Sequence, residues 1–194
     1  MKLKYHTALL LALSLFSGAG SAFAHNPAGK PDPMNASLEK LKGAEFEQSF
    51  LQQMIQHHRS GIDMAKLAGD HTQRPELRQF AEKMISSQQQ EIEKMSGWLT
   101  SWYNASPKEI ANEAANKEMK MHISMFSGNR DADFDKTFLE MMPKHYHAGV
   151  EMAEQAEMKA THPELKEFAA RLAKDQEQEM KQMKEWAQAW FGPA

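Results

Sequence analysis

The stretch Phe50–Ala65, FLQQMIQHHRSGIDMA, occurs a second time as Phe138–Ala153, FLEMMPKHYHAGVEMA, with Phe, Leu, Met, His, Gly, Met and Ala at matching places. The offset of 88 residues then holds without a gap to the end of the chain, pairing Pro75 with Pro163, Gln88 with Gln176, Glu91 with Glu179 and Trp102 with Trp190. The chain is therefore an internal duplication of a unit much longer than a solenoid repeat, with copies at 50–102 and 138–190.

Within each copy the apolar residues step by threes and fours. Phe46, Phe50, Met54, His57, Gly61, Met64 and Ala68 mark one face of a helix from about Glu45 to Gly69. After the polar stretch Asp70–Arg74, Pro75 opens a second helix, where a missing N–H costs nothing. Its stripe is Leu77, Ala81, Met84, Gln88, Glu91, Met95, Trp98 and Trp102. The same reading predicts helices from Asp133 to about Ala160 and from Pro163 to Trp190, with Trp98, Trp102, Trp186 and Trp190 as aromatic core at the hairpin ends. Two such hairpins bury their apolar faces best against each other, so the expected fold is all-α, a four-helix bundle. Ser106-Pro107-Lys108-Glu109 is a capping box that predicts a connecting helix over 107–126.

Ahead of the bundle, Lys2 and Lys4 precede an apolar run from Ala8 to Phe16 and the small-residue sequence Ser21-Ala22-Phe23-Ala24. This predicts a cleaved signal peptide over 1–24, too short in its apolar run for a stable membrane anchor, and a periplasmic destination. Residues 25–43 are a Pro- and Gly-rich leader, and 44–194 form the domain. The net charge is −3, or −5 without the two leader lysines, and a mildly acidic surface argues against nucleic acid or anionic lipid as a partner. With no Cys there is neither disulfide nor thiolate site, whereas Met 15 and His 9 are high for this length.

The core stripe carries a polar layer. A turn centred between Thr72 and Gln73 sets His57 at the height of Gln88 and Met54 at that of Glu91. In the second copy it sets His145 against Gln176 and Met142 against Glu179. That layer is either a hydrogen-bonded band that fixes register, with methionine as filler, or a metal site. Gly61 and Gly149, one turn on, leave room for a close neighbour or ligand. Pro143 should kink the helix before His145.

Further candidates lie outside the layer. Met119, Met121, His122 and Met125 in the run MKMHISM stand three or four apart, and thioethers with one imidazole suit Cu(I) or Ag(I) better than Zn or Mg. A packing face on the bundle is the plainer alternative. His58 and His147 occupy non-equivalent places in the two copies, and His57 and His58, adjacent on a helix, point too far apart to chelate one ion. His71 and His162 fall in loops and read as solvated histidines.

The combination of FLQQMIQHHRSGIDMA with PELRQFAEKMISSQQQEIEKMSGW resembles the domain-of-unknown-function 305 family over about Ala44–Trp190. The resemblance implies a ferritin-like four-helix bundle and a periplasmic copper-binding protein that contributes to copper resistance. It points to Met54, His57, His58, Met64, Gln88, Glu91 and Met95 in the first copy and Met142, His145, Met152, Gln176, Glu179 and Met183 in the second. The sequence departs from the pattern at Tyr146, where the second half often has His, which speaks against two equivalent sites.

The reading drawn from these residues is a protein that sequesters or transfers Cu(I), and Cu(II) as well, through Met and His, without turnover. Its partners would be metal ions and another periplasmic copper protein, with homo-oligomer formation left open. Two rivals stand beside it. One is a metal-independent helical interaction or chaperone module. The other is a ferritin-like di-metal oxidoreductase, for which the chain lacks a Glu-x-x-His motif.

Overall fold

In the computed structural model, residues 37–108 and 130–192 are described, together with Ser124 and Gly128. The predicted signal peptide, most of the leader and most of the predicted connecting helix lie outside them. The described residues form four α-helices of 29 residues each: α1 (Gly43–His71), α2 (Pro75–Tyr103), α3 (Asp131–Lys159) and α4 (Pro163–Phe191). Every boundary recurs 88 residues later: 43 with 131, 71 with 159, 75 with 163, 103 with 191.

Local chemistry accounts for these limits. Pro75 and Pro163 open α2 and α4. Gly43 and its counterpart Asp131 both turn into their helices with positive φ, +54° and +50°, a conformation Gly adopts freely and Asp tolerates. Helix α2 ends where Asn104 takes the left-handed conformation and the Ala105 N–H bonds back to the Leu99 carbonyl, which satisfies a terminal acceptor. Helix α3 continues through Pro143.

The helices pair as two hairpins, α1 with α2 and α3 with α4, and the hairpins meet chiefly through α1 and α3. The core falls into two apolar clusters. One gathers Phe46, Phe50 and Met54 from the start of α1, Met95 and Leu99 from the end of α2, Ala153 and Ala156 from the end of α3, and Leu165 and Leu172 from the start of α4. The other gathers Met64, Leu77, Met84, Phe134, Phe138, Met142 and Met183 from the opposite ends. Helices α1 and α3 therefore run antiparallel, and the hairpins are related by an approximate two-fold. The duplication makes that two-fold possible, because one hairpin face then packs on a copy of itself.

The tryptophans lock the hairpins together rather than closing each one. Trp98 of α2 packs edge-on against Phe168 of α4 at 5.2 Å, and its counterpart Trp186 packs edge-on against Phe80 of α2 at 5.6 Å. Among the described residues no helix is long and apolar enough to cross a membrane.

Candidate metal centre

Between the two apolar clusters lies the predicted polar layer, closed differently from the sequence expectation. Gln88 stands at Gly61 rather than at His57, and Glu91 meets His58 rather than Met54. The histidines of the two hairpins meet across the bundle. The rings of His57 and His145 stack face to face, centroids 3.8 Å apart and planes within 5°. The space for His57 is the missing side chain of Gly149: a Cβ there would lie 2.8 Å from His57 Cε1 and 2.5 Å from Gln176 Oε1. At Gly61 a Cβ would lie 2.7 Å from Gln88 Oε1, 3.0 Å from the Met84 methyl and 3.1 Å from His145 Nε2. Each glycine thus admits the histidine of the other hairpin. Within the first hairpin the register is displaced by one helical turn from the estimate, with Gln88 at Gly61 and Glu91 on His58, while α1 and α3 approach closely enough for their histidines to cross.

His57 Nε2 lies 2.9 Å from the carbonyl oxygen of His145, so in this tautomer Nε2 donates and Nδ1 keeps its lone pair. Burial first, and the charge of His58 second, hold its pKa down at about 3 against the hydrogen bond to His145. The ring is neutral at neutral pH. His57 Nδ1, Gln88 Oε1 and both amide atoms of Gln176 are buried without hydrogen-bond partners among the described residues. Stacked rings place their lone pairs in parallel planes, so the two imidazoles cannot converge on one ion in this arrangement.

Glu91 belongs to His58. His58 Nε2 sits 2.7 Å from Glu91 Oε2, the histidine fully buried and the carboxylate a quarter exposed. A carboxylate on one ring nitrogen fixes the orientation of the imidazole, and His58 Nδ1 has no hydrogen-bond partner among the described residues. At the equivalent place the second hairpin has Tyr146 and Glu179. Burial, then the nearby Glu179 carboxylate, push the Tyr146 hydroxyl well above its ordinary pKa. Burial raises Glu179 too; the neighbouring Tyr146 hydroxyl opposes this, and the nearby Glu91 charge adds to it. Outside Glu91, a groove of about 240 Å³ between α2 and α4 is lined by Ser87, Lys94, Phe168, Arg171 and Asp175. His57 and His58 have centroids 6.1 Å apart and rings tilted by 56°, consistent with separate roles.

The remaining candidates disperse. Met54, Met95 and Met152 are buried in one apolar cluster, Met64, Met142 and Met183 in the other. His147 is on the surface, 3.4 Å from Glu151. Met158 is exposed. Met119, Met121, His122 and Met125 lie outside the described residues. Among the described residues no three of His, Asp and Glu gather as a metal-holding group.

Two loop histidines differ from expectation. His71 is buried, its ring 5.2 Å from Phe134. His162 stacks on Trp102 at 3.9 Å, and its Nδ1 lies 2.8 Å from Glu47. Glu47 is fully buried and accepts from Tyr103, from the Thr161 hydroxyl and from the backbone N–H groups of Thr161 and His162. Burial acts to raise its pKa, but the hydrogen bonds from Tyr103, His162 and Thr161 together hold it down at about 2. Sequence reasoning missed Glu47 because its partners lie far along the chain. The available signal was an acidic residue one position from Phe46 on the core face. Met84 was read as stripe packing, and its approach to His145 depends on the cross-hairpin geometry.

A four-helix bundle with a His–Gln–Glu layer at its centre defines an all-helical duplicated domain. The chain belongs to the DUF305 family, a domain of unknown function, whose profile matches residues 19–99 and 47–187. Its fold is similar to CopM in the Cu(I)-bound form, with 29% identity, TM-score 0.67, and 75% of this chain and 98% of that chain covered. CopM in a silver-bound form gives 30% identity, TM-score 0.64, and coverages of 75% and 97%. A DUF305 fragment from Deinococcus radiodurans shares the fold at 23% identity and TM-score 0.66, with 73% and 94% covered. None of the curated proteins matches the chain.

Proposed function

We propose that this protein is an exported copper-binding protein of the periplasm, which holds Cu(I), takes Ag(I) in its place, accepts Cu(II) as well, and serves copper homeostasis without turnover. The observation that carries this reading is the likeness to CopM, a protein known in Cu(I)-, Cu(II)- and silver-bound forms, over nearly that whole chain. The residues present suit such a cargo. Imidazole nitrogens with open lone pairs lie buried at His57 and His58, the Met84 methyl reaches the same layer at Gly61, and the chain has no Cys to compete. The MKMHISM run at 119–125 would add an outer Met–His set, and residues 1–24 would direct export before cleavage. Delivery to or from another periplasmic copper protein fits this role.

One observation favours a second reading. Six of the candidate methionines are seated in the apolar clusters, where thioethers pack as well as Leu. A metal-independent interaction or chaperone bundle would need nothing more. Titration of the mature protein with Cu(I) against a chromophoric chelator, with Ag(I) and Zn(II) in parallel, separates the two. Cu(I) and Ag(I) should bind tightly and Zn(II) weakly. Equal, weak binding of all three would leave the interaction bundle.

A further inference from the structure

The two glycine notches at the centre of the bundle are not chemically alike. At Gly149 the ring atom turned toward the notch is His57 Cε1, a carbon, and the position equivalent to Met84 is Leu172. At Gly61 the three nearest atoms belong to three donor-bearing side chains: Gln88 Oε1, the terminal methyl of Met84 and His145 Nε2, each within 3.1 Å of where a Cβ on Gly61 would stand. Gln88 is 3% exposed, and its Oε1 has no hydrogen-bond partner among the described residues. Met84 is 1% exposed, and its sulfur is one bond behind the methyl on a side chain with three rotatable bonds. The stack on His57 covers one face of the His145 imidazole, and its Nε2 is the ring atom nearest the notch.

We propose that the Gly61 notch is a soft monovalent-cation site, with the Met84 thioether, the His145 Nε2 imidazole and the Gln88 amide oxygen as its ligands. This deepens the copper-binding reading and rests on it. The donor set is neutral throughout. Burying a dication among neutral ligands costs far more than burying a monocation, since the desolvation penalty rises steeply with charge. The thioether further selects Cu(I) or Ag(I) over Na⁺ or K⁺. The ligands come from both hairpins, Met84 and Gln88 from α2 and His145 from α3, so a bound ion would tie the halves of the duplication together. The Gly149 notch, with Leu172 and a ring carbon, offers no such set. One cation per bundle is expected at this layer.

The test is titration of the full mature chain with Ag(I), read as stoichiometry by competition and as the Met84 methyl shift in a sample labelled with ¹³C at the methionine methyls. Met84→Leu keeps the volume and should fold, because Leu and Met exchange at small cost in a core. It should lose one equivalent of tightly held Ag(I), and the methyl resonance it removes should be one that moves in the wild type. Gly61→Ala, which fills the notch, should lose the same equivalent. If the wild type binds Ag(I) while Met84→Leu binds it with unchanged stoichiometry and affinity, the notch site is wrong and the copper-binding reading stands. If the wild type binds neither Ag(I) nor Cu(I), both fall.

Discussion

At one end of the bundle Glu47 accepts hydrogen bonds from Tyr103, Thr161 and His162 through both of its oxygens; at the other end its counterpart Asp135 holds Arg74 through one oxygen at 3.2 Å. The second Asp135 oxygen has no hydrogen-bond partner among the described residues. The frames are the same: His162 stacks on Trp102, and Arg74, at the position 88 residues before His162, lies 4.1 Å over the Trp190 ring. In both cases an acidic residue of an odd-numbered helix clamps the start of the other hairpin's even-numbered helix, and a tryptophan covers the contact. The difference shows how a duplicated fold diverges. Geometry imposed by the two-fold is shared, while the chemistry at each repeated place is set by one or two side chains. The end with an imidazole keeps a saturated carboxylate, and the end with a guanidinium relies on one ion pair and a cation–π contact.

The comparison breaks most sharply at Glu47. Glu47→Ala removes the fully buried acceptor for two backbone N–H groups, a hydroxyl, a phenol and an imidazole. A loss of about 3 kcal/mol is expected, the scale for removing one partner of a buried charged pair. Asp135→Ala should cost less, because Arg74 is 37% exposed and turns to water. Urea unfolding of both variants with unchanged m-values checks this ordering. Equal losses would mean that the Glu47 hydrogen bonds add nothing beyond an ion pair.

The next effect sharpens the contrast between the notches. Gly149→Ala sets a methyl 2.8 Å from His57, a ring held by its stack and by the His145 carbonyl, so the layer must shift. Gly61→Ala meets the ends of Gln88 and Met84, which can swing aside, before it meets His145. Overpacking of this kind costs about 1–3 kcal/mol, offset by about 1 kcal/mol of helix propensity gained over Gly. Gly149→Ala should therefore destabilise the apo protein by about 2 kcal/mol and Gly61→Ala by less. Thermal melts of the metal-free proteins decide it, and a reversed order would mean that the His57 ring is free to move.

How much of this was legible in the sequence follows from the range of each interaction. Helix limits are local, set by Pro75, Pro163 and the heptad-like stripes, so the four helices appear within about two residues of their predicted starts. The polar layer was legible too, because His57, Gln88, His145 and Gln176 interrupt apolar stripes. Its pairing was not. The turn-based estimate misses by one helical turn, since Gln88 meets Gly61 and Glu91 meets His58, and no turn registers the contact of His57 with His145 between segments 88 residues apart. The burial of His71 and the clamp on His162 were illegible for the same reason. A loop histidine reads as solvated until the other hairpin is placed over it.

The smallest effect concerns acid and tests whether the layer is as dry as its geometry implies. His57 is 4% exposed and its pKa is depressed to about 3, from an ordinary 6.5, by burial and by His58. The unfolded chain therefore binds a proton at this residue below pH 6.5 that the folded chain refuses until about pH 3. More protons on the unfolded state means stability falls as pH falls, by up to about 1.4 kcal/mol per pH unit inside that window for one group. Between pH 6.5 and 5.5 the loss begins, on the order of 1 kcal/mol, and Glu47, with a pKa of about 2, contributes only at lower pH. His57→Phe keeps a flat ring against His145 and carries no proton. In the metal-free protein its stability should be flatter than the wild type's over that unit of pH. Parallel curves would show that His57 titrates near its ordinary value, in which case water enters the layer and the stacked pair opens in solution.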